Sequence, residues 1–182
     1  MKRLLVILYL LMSIVVSAQM YDPVEWSFSQ KQLSEDEIEL QFKAYIEQYW
    51  HMYSQYLPDE VDAYPTEFIF ATTENYQLIN EVVEPEPIRE ADPNFDNIIL
   101  PYFEKEVVFR QKIKVTSASD FKIDGEISFM SCDESQCVFP PLTPFSFEIE
   151  GVGEHAESFI ESSNQEPIQS KGLWTLFFLA FL

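Results

Sequence analysis

Apolar and polar residues alternate at every second position in several separate stretches of this chain, which is the pattern of a half-buried β-strand. No stretch between the two termini carries a convincing helical stripe, and prolines separate the alternating stretches. The sequence therefore predicts an all-β fold, an immunoglobulin-like antiparallel β-sandwich. The strand candidates are residues 38–46, 68–71, 76–83, 107–115, 126–129 and 145–149.

Residues 84–105 are the least strand-like part of the middle of the chain. Prolines and scattered acidic residues dominate it, as in the run Glu84 to Pro87 and in Asp92-Pro93. We predict a long loop here, and long loops in compact domains are often functional.

The N-terminus has the three parts of a secretory signal. Lys2 and Arg3 precede an apolar run that starts at Leu4, and small residues end the segment at Ala18. We predict a signal peptide over residues 1–18 and an exported domain over 19–153. The alternative, an uncleaved anchor, is less favoured because the apolar run is shorter than the ~20 residues of a spanning helix.

The C-terminus predicts a membrane segment. A polar linker, 154–171, is followed by an apolar stretch at 172–182. Lys171 and Trp174 lie at the boundary, as is typical of a membrane interface. Its ten or so residues span only about half a bilayer core as a helix. We expect this stretch to be the start of a transmembrane helix, and the sequence to be a piece of a longer membrane protein.

Charge and composition exclude several classes of function. The chain has 11 basic and 31 acidic residues, a net charge of -20, which disfavours nucleic-acid binding. Its 4 glycines form no phosphate-binding loop. His51 and His155 lie far apart without neighbouring ligands, so no metal site is predicted. Instead, His51 is expected to flank an aromatic cluster.

The most informative pair of residues is Cys132 and Cys137. Two cysteines in an exported chain indicate a disulfide. One reading is a structural staple, but closing so short a loop removes only roughly 2 kcal/mol of denatured-state entropy. The other reading is a tight loop that presents the disulfide at the rim of the domain, where an incoming thiolate could reach it.

Three segments carry a family resemblance. Residues 125–132, the run Cys137-Val138-Phe139-Pro140-Pro141 and the strand at 145–149 resemble the N-terminal periplasmic domain of DsbD-like thiol:disulfide interchange proteins, the disulfide-bond corrector domain family. Weaker similarity at 50–55 and 102–109 extends the resemblance over about residues 20–151. The chain has four residues between its cysteines where the best-known members have five, which leaves the loop geometry open.

The resemblance implies a redox relay. Electrons pass from a membrane domain and a thioredoxin-like domain of the same protein to this domain, which then reduces periplasmic disulfide isomerases or cytochrome c maturation proteins. Cys137 is implied as the attacking thiol and Cys132 as the resolving one, with the disulfide itself in place of a cofactor. The chain is thereby expected to be one domain of a protein-disulfide reductase, periplasmic and anchored in the inner membrane.

The resemblance also implies an aromatic cap over the disulfide. Phe95, Tyr102 and Phe103 are the candidates for the cap or for partner contact, although each is equally compatible with a core position. From the residues themselves, Asp133 and Glu134 lie between the two sulfurs, and we expect their negative charge to raise the thiol pKa unless both point into solvent.

The residues are also compatible with two other functions. One is a non-catalytic immunoglobulin-like interaction module whose disulfide is structural. The other is an assembly or sensor domain fused to a membrane transporter.

Overall fold

A computed structural model of the chain describes residues 21–153, so the expected signal peptide, linker and transmembrane segment lie outside the described residues. Within that range the fold is built from strands and a single 3-10 turn, and no helix there is long and apolar enough to cross a bilayer. The strands are β1 (Val24–Gln32), β2 (Glu37–Ile46), β3 (His51–Tyr53), β4 (Glu67–Phe70), β5 (Tyr76–Val83), β6 (Ile88–Asp92), β7 (Ile98–Phe103), β8 (Glu106–Val115), β9 (Phe121–Ser128), β10 (Ser131–Cys132), β11 (Cys137–Val138) and β12 (Thr143–Ile149).

The strands form three antiparallel sheets. One has the order β1-β2-β8-β5, the second has the order β12-β9-β4, and the third has the order β11-β10-β3-β7-β6. The first two sheets share an aromatic core with Phe42 of β2 at its centre, fully buried. Its ring lies 4.9 Å from that of Phe68 in β4 and 4.9 Å from that of Phe145 in β12. This confirms the predicted immunoglobulin-like all-β sandwich.

The third sheet extends this sandwich and carries a second core. Only two residues separate β7 from β8, and two separate β9 from β10. Alternation along β3 sends Met52 into the main core, while Tyr53 faces a smaller cluster on the other side of the sheet. This second cluster consists of Tyr53, Leu100, Tyr102, Met130 and Cys132, with Phe95 and Cys137 packed against it.

The expectation of a long loop over residues 84–105 is wrong. The segment forms the hairpin of β6 and β7, joined through a 3-10 turn at Pro93–Phe95. The strand was hidden in the sequence because β6 is an edge strand in which only Asp92 is buried, so it shows no apolar alternation. Strand β1 was also missed, although Val24, Trp26 and Phe28 alternate with polar residues.

Candidate functional site

The two cysteines close a hairpin of two very short strands. Cys132 of β10 pairs with Cys137 of β11, and their sulfurs form a disulfide with an S–S distance of 2.04 Å and a Cα–Cα distance of 4.1 Å. Strand β10 also pairs with β3, where Cys132 lies opposite His51. The structure thus brings the two predicted redox residues together at one end of the third sheet.

The two cysteines differ in exposure. Cys132 is fully buried in the second cluster, whereas Cys137 is partly exposed on β11, the edge strand of the sheet. An edge strand presents backbone groups and side chains to an approaching molecule. An incoming thiolate therefore meets the sulfur of Cys137 more readily than that of Cys132.

Asp133 shapes the loop between the cysteines. Its Oδ1 accepts hydrogen bonds from the backbone N–H of Ser135 at 2.7 Å, from the Ser135 hydroxyl at 2.8 Å and from the Gln136 N–H at 2.8 Å. The bond from the Ser135 N–H is the largest cause that lowers the pKa of Asp133 below its ordinary value. Glu134 is exposed at the rim of a cleft that His51 and Asp92 also line. The influence of both acids on the thiols stays a prediction.

The tip of the β6–β7 hairpin lies against the loop between the two cysteines. The side chain of Asp92 caps the 3-10 turn by accepting from the Asn94 N–H at 2.8 Å, and the Asn94 side chain donates to the Asp133 carbonyl at 2.8 Å. Phe95 at the end of the turn packs on the second cluster, its ring 5.8 Å from that of Tyr53 and edge-on to it. One hydrogen bond thus joins the tip directly to the cysteine loop.

The three aromatic cap candidates have different surroundings. Phe95 and Tyr102 lie in the cluster that contains the cysteines, and burial raises the pKa of Tyr102 to about 12. Phe103 belongs to the main core instead, where its ring lies 5.6 Å from that of Phe109. This follows from strand alternation, since neighbouring residues of β7 face opposite sides of the sheet. Phe95 is the candidate whose position at a hairpin tip fits a cap.

A buried polar group that the sequence did not indicate lies beside the disulfide. Asp92 is 2% exposed, and its Oδ2 accepts from the Tyr53 hydroxyl at 2.5 Å and lies 3.1 Å from Nε2 of His51. The His51 ring also packs 4.6 Å from that of Tyr102, which confirms that it flanks an aromatic cluster. Burial is the main cause that raises the pKa of Tyr53 and lowers that of His51.

No local pattern in the sequence predicts this group. His51 and Asp92 are 41 residues apart in the sequence and lie on β3 and β6, the two strands that flank β7. Only the Asp-Pro-Asn sequence at 92–94, typical of a turn, was a visible signal. Within residues 21–153 no three side chains of the types that bind metals converge into a metal site.

One family model matches most of the described chain. The family described as "Thiol:disulfide interchange protein DsbD, N-terminal" matches residues 18–148. The N-terminal periplasmic domain of ScsB from Proteus mirabilis superposes with a TM-score of 0.51 at 15% identity, covering 82% of this chain and 57% of that one. At such low identity the likeness supports the fold alone.

Two further solved structures are more distant. The DsbD n-terminal domain of Neisseria meningitidis, in the reduced form, matches with a TM-score of 0.40 at 13% identity, over 68% of this chain and 84% of that one. The GAE domain of GGA2p from Saccharomyces cerevisiae matches with a TM-score of 0.40 at 10% identity, over 74% and 96%. No curated protein matches the chain.

Proposed function

The chain belongs to the family of N-terminal domains of DsbD thiol:disulfide interchange proteins, and on this premise we propose that Cys132 and Cys137 are a redox-active pair that carries two electrons to periplasmic proteins. The membership makes it a thiol:disulfide interchange domain. The direction of transfer, the reduction of partner disulfides, is the finer part of the proposal.

The observation that carries the proposal is the unequal exposure of the two sulfurs. A disulfide that only joins two strands needs neither sulfur exposed, whereas exchange requires one accessible sulfur for attack. Cys137, partly exposed on an edge strand, meets that requirement, and Cys132 is fully buried behind it. We therefore assign attack on the partner to Cys137 and resolution to Cys132.

The exchange with a partner takes place in two steps. In the reduced domain the Cys137 thiolate attacks one sulfur of the partner's disulfide, and the partner's other sulfur leaves as a thiolate. The Cys132 thiolate then attacks the Cys137 sulfur, which forms the intramolecular disulfide and releases the partner's first sulfur. Two electrons have moved to the partner. A dithiol donor then reduces the Cys132–Cys137 disulfide by the same steps in reverse.

The wider role follows from the family. We propose that a thioredoxin-like domain and a membrane domain of the same protein supply the electrons, and that thioredoxin-fold proteins such as disulfide isomerases or cytochrome c maturation proteins receive them. This assigns the domain to the periplasm, with export through residues 1–18, a linker at 154–171 and membrane attachment from 172 onward. The chain spans 57% of the length of the ScsB domain that it matches.

The hairpin tip serves as the cap in this proposal. Phe95 packs on the cluster around the cysteines, and the Asn94 side chain ties the tip to the cysteine loop. A partner that docks at Cys137 displaces the tip and gains access to the sulfur. Asp133 and Glu134 add negative charge that slows reaction with nonspecific oxidants.

Trapping of mixed disulfides tests the assignment. In cells that make the full chain, a Cys132→Ala variant retains the accessible sulfur but cannot resolve, so it should accumulate a mixed disulfide with a thioredoxin-fold protein. A Cys137→Ala variant is the matched control, because its remaining sulfur is buried and should trap far less. Failure of both variants to form such an adduct, or equal trapping by both, would contradict the proposal.

A further inference from the structure

We propose that His51 is the proton acceptor for Cys132 when that thiol resolves the mixed disulfide, and that Asp92 holds the imidazole in the tautomer this step needs. The inference rests on the redox function proposed above and adds a residue to it. It starts from a chemical difficulty at the buried cysteine.

The difficulty is that the resolving thiol is enclosed. Cys132 is fully buried among Tyr53, Leu100, Tyr102 and Met130, away from the solvent that would accept its proton. The thiolate is the nucleophile in disulfide exchange, and an apolar environment disfavours an anion. A base next to the Cys132 sulfur would accept the proton of the thiol inside the site.

His51 occupies such a position. It is the cross-strand partner of Cys132 in the pairing of β3 with β10, and side chains of directly opposed residues lie on one face of the sheet with Cβ atoms about 4.5–5.5 Å apart. The Ser131 hydroxyl donates to the His51 carbonyl at 2.7 Å, which helps to fix the two strands against each other. The imidazole and the thiol are therefore neighbours on the same side.

The contacts of the ring determine which nitrogen is free. Nε2 of His51 lies 3.1 Å from Oδ2 of Asp92 and 3.1 Å from the Tyr53 hydroxyl oxygen. A carboxylate oxygen only accepts hydrogen bonds, and the Tyr53 hydroxyl already donates to it, so Nε2 carries the proton of the neutral ring. Nδ1 is then the nitrogen with an available lone pair. This is the same logic by which a carboxylate orients a catalytic histidine in hydrolases.

The His51 ring has the neutral charge state that a proton acceptor needs. Burial is the largest influence on His51 and lowers its pKa below the ordinary 6.5, while Asp92 opposes this shift. The ring is thus neutral near pH 7 and can accept a proton. The titratable groups around it, from the surrounding elements and the cleft that it lines, are Tyr49, Tyr53, Glu90, Asp92, Tyr102, Glu104, Asp133 and Glu134.

A proton transfer to His51 precedes the exchange of sulfur bonds. In the mixed disulfide between Cys137 and the partner, Nδ1 of His51 takes the proton from the Cys132 thiol. The Cys132 sulfur then bonds to the Cys137 sulfur, the bond from Cys137 to the partner breaks, and the partner sulfur leaves as a thiolate. The proton on His51 passes to that thiolate or to water.

A two-phase reaction with dithionitrobenzoate separates the steps in the reduced full chain. The first coloured thiolate is released when Cys137 attacks the reagent, and the second when Cys132 resolves the adduct. His51→Gln keeps a side-chain N–H donor for Asp92 but has no basic nitrogen. General base catalysis contributes typically about 10²–10⁴-fold, so we expect the second phase to slow about tenfold or more and the first to change less than about twofold.

The pH profile distinguishes chemistry from structure. In the wild-type chain the second phase should fall at low pH as His51 becomes protonated, and this inflection should vanish in His51→Gln. Asp92→Asn, a second variant, should shift the inflection to lower pH because the carboxylate no longer favours the protonated ring. His155→Gln removes the other histidine and should leave both phases unchanged.

Two results overturn the inference. One is a second phase whose rate and pH profile are unchanged in His51→Gln. The other is an equal slowing of both phases, which would assign His51 a structural role. Complete absence of the second phase in the wild-type chain, with only one thiolate released, would instead contradict the redox function itself.

Discussion

Removal of the Asn94 side chain should open the disulfide to small reductants. The Asn94 Nδ2 donates a hydrogen bond to the Asp133 carbonyl at 2.8 Å. This bond joins the hairpin tip directly to the cysteine loop. A neutral hydrogen bond of this kind contributes about 0.5–1.5 kcal/mol net. With the packing of Phe95 unchanged, Asn94→Ala should therefore raise the population of the open tip by about 2-fold to about 12-fold, since about 1.4 kcal/mol corresponds to tenfold.

The assay is the reduction of the oxidised chain by excess dithiothreitol under native conditions, followed by acid quenching and mass measurement of alkylated thiols. If attack occurs from the open state, the reduction rate should rise by the same factor as the open population. Asn75→Ala, in the loop before β5 on another sheet, is the matched control and should react at the wild-type rate. A wild-type rate for Asn94→Ala would refute the reasoning, because this bond would then not hold the tip over the disulfide.

Two further predictions concern stability and pH. In Gly125→Ala the added Cβ would lie 2.2 Å from Cζ of Phe145 and 2.4 Å from the Ile69 carbonyl oxygen. Urea unfolding should therefore show that the free energy of unfolding falls by about 1–3 kcal/mol. An unchanged free energy of unfolding would contradict the packing described. Asp133 has a lowered pKa, so its bonds to the loop should persist above its ordinary value of 3.8 and be lost only as the pH falls through the lower folded value. The NMR shift of the Ser135 amide should report this, and a midpoint at or above 3.8 would argue against the bond.

The sequence predicts those strands of the fold that have one buried face and one exposed face. In β2 and β8 every second residue enters the core, and that alternation is visible in the sequence. The hairpin of β6 and β7 could not be seen in this way, because β6 is exposed on both faces until Asp92 and β7 contains Pro101. Its pairing depends on the position of neighbouring strands, which the local pattern does not encode.

The site was predictable only in part. Cys132 and Cys137 are close in sequence, and their short loop pointed to a hairpin at the rim of the domain. The contact of His51 with Asp92 joins β3 and β6, two strands from distant parts of the chain, and no local pattern in the sequence encodes it. Phe103 and Tyr102 are neighbours on β7 and face opposite sides of the sheet. The sequence did not show which of the two faces the cysteines; the pairing of β7 with β3 does.

The reduction potential of the Cys132–Cys137 pair distinguishes a redox-active disulfide from a structural one. It can be measured by equilibrating the full chain in glutathione or dithiothreitol buffers of defined ratio and quantifying the free thiols. Structural disulfides lie below about -300 mV, whereas exchangeable ones lie higher. A redox-active pair should have a potential above about -300 mV, in the range of thioredoxin-fold partners; a value well below this limit would show that the disulfide is a structural cross-link.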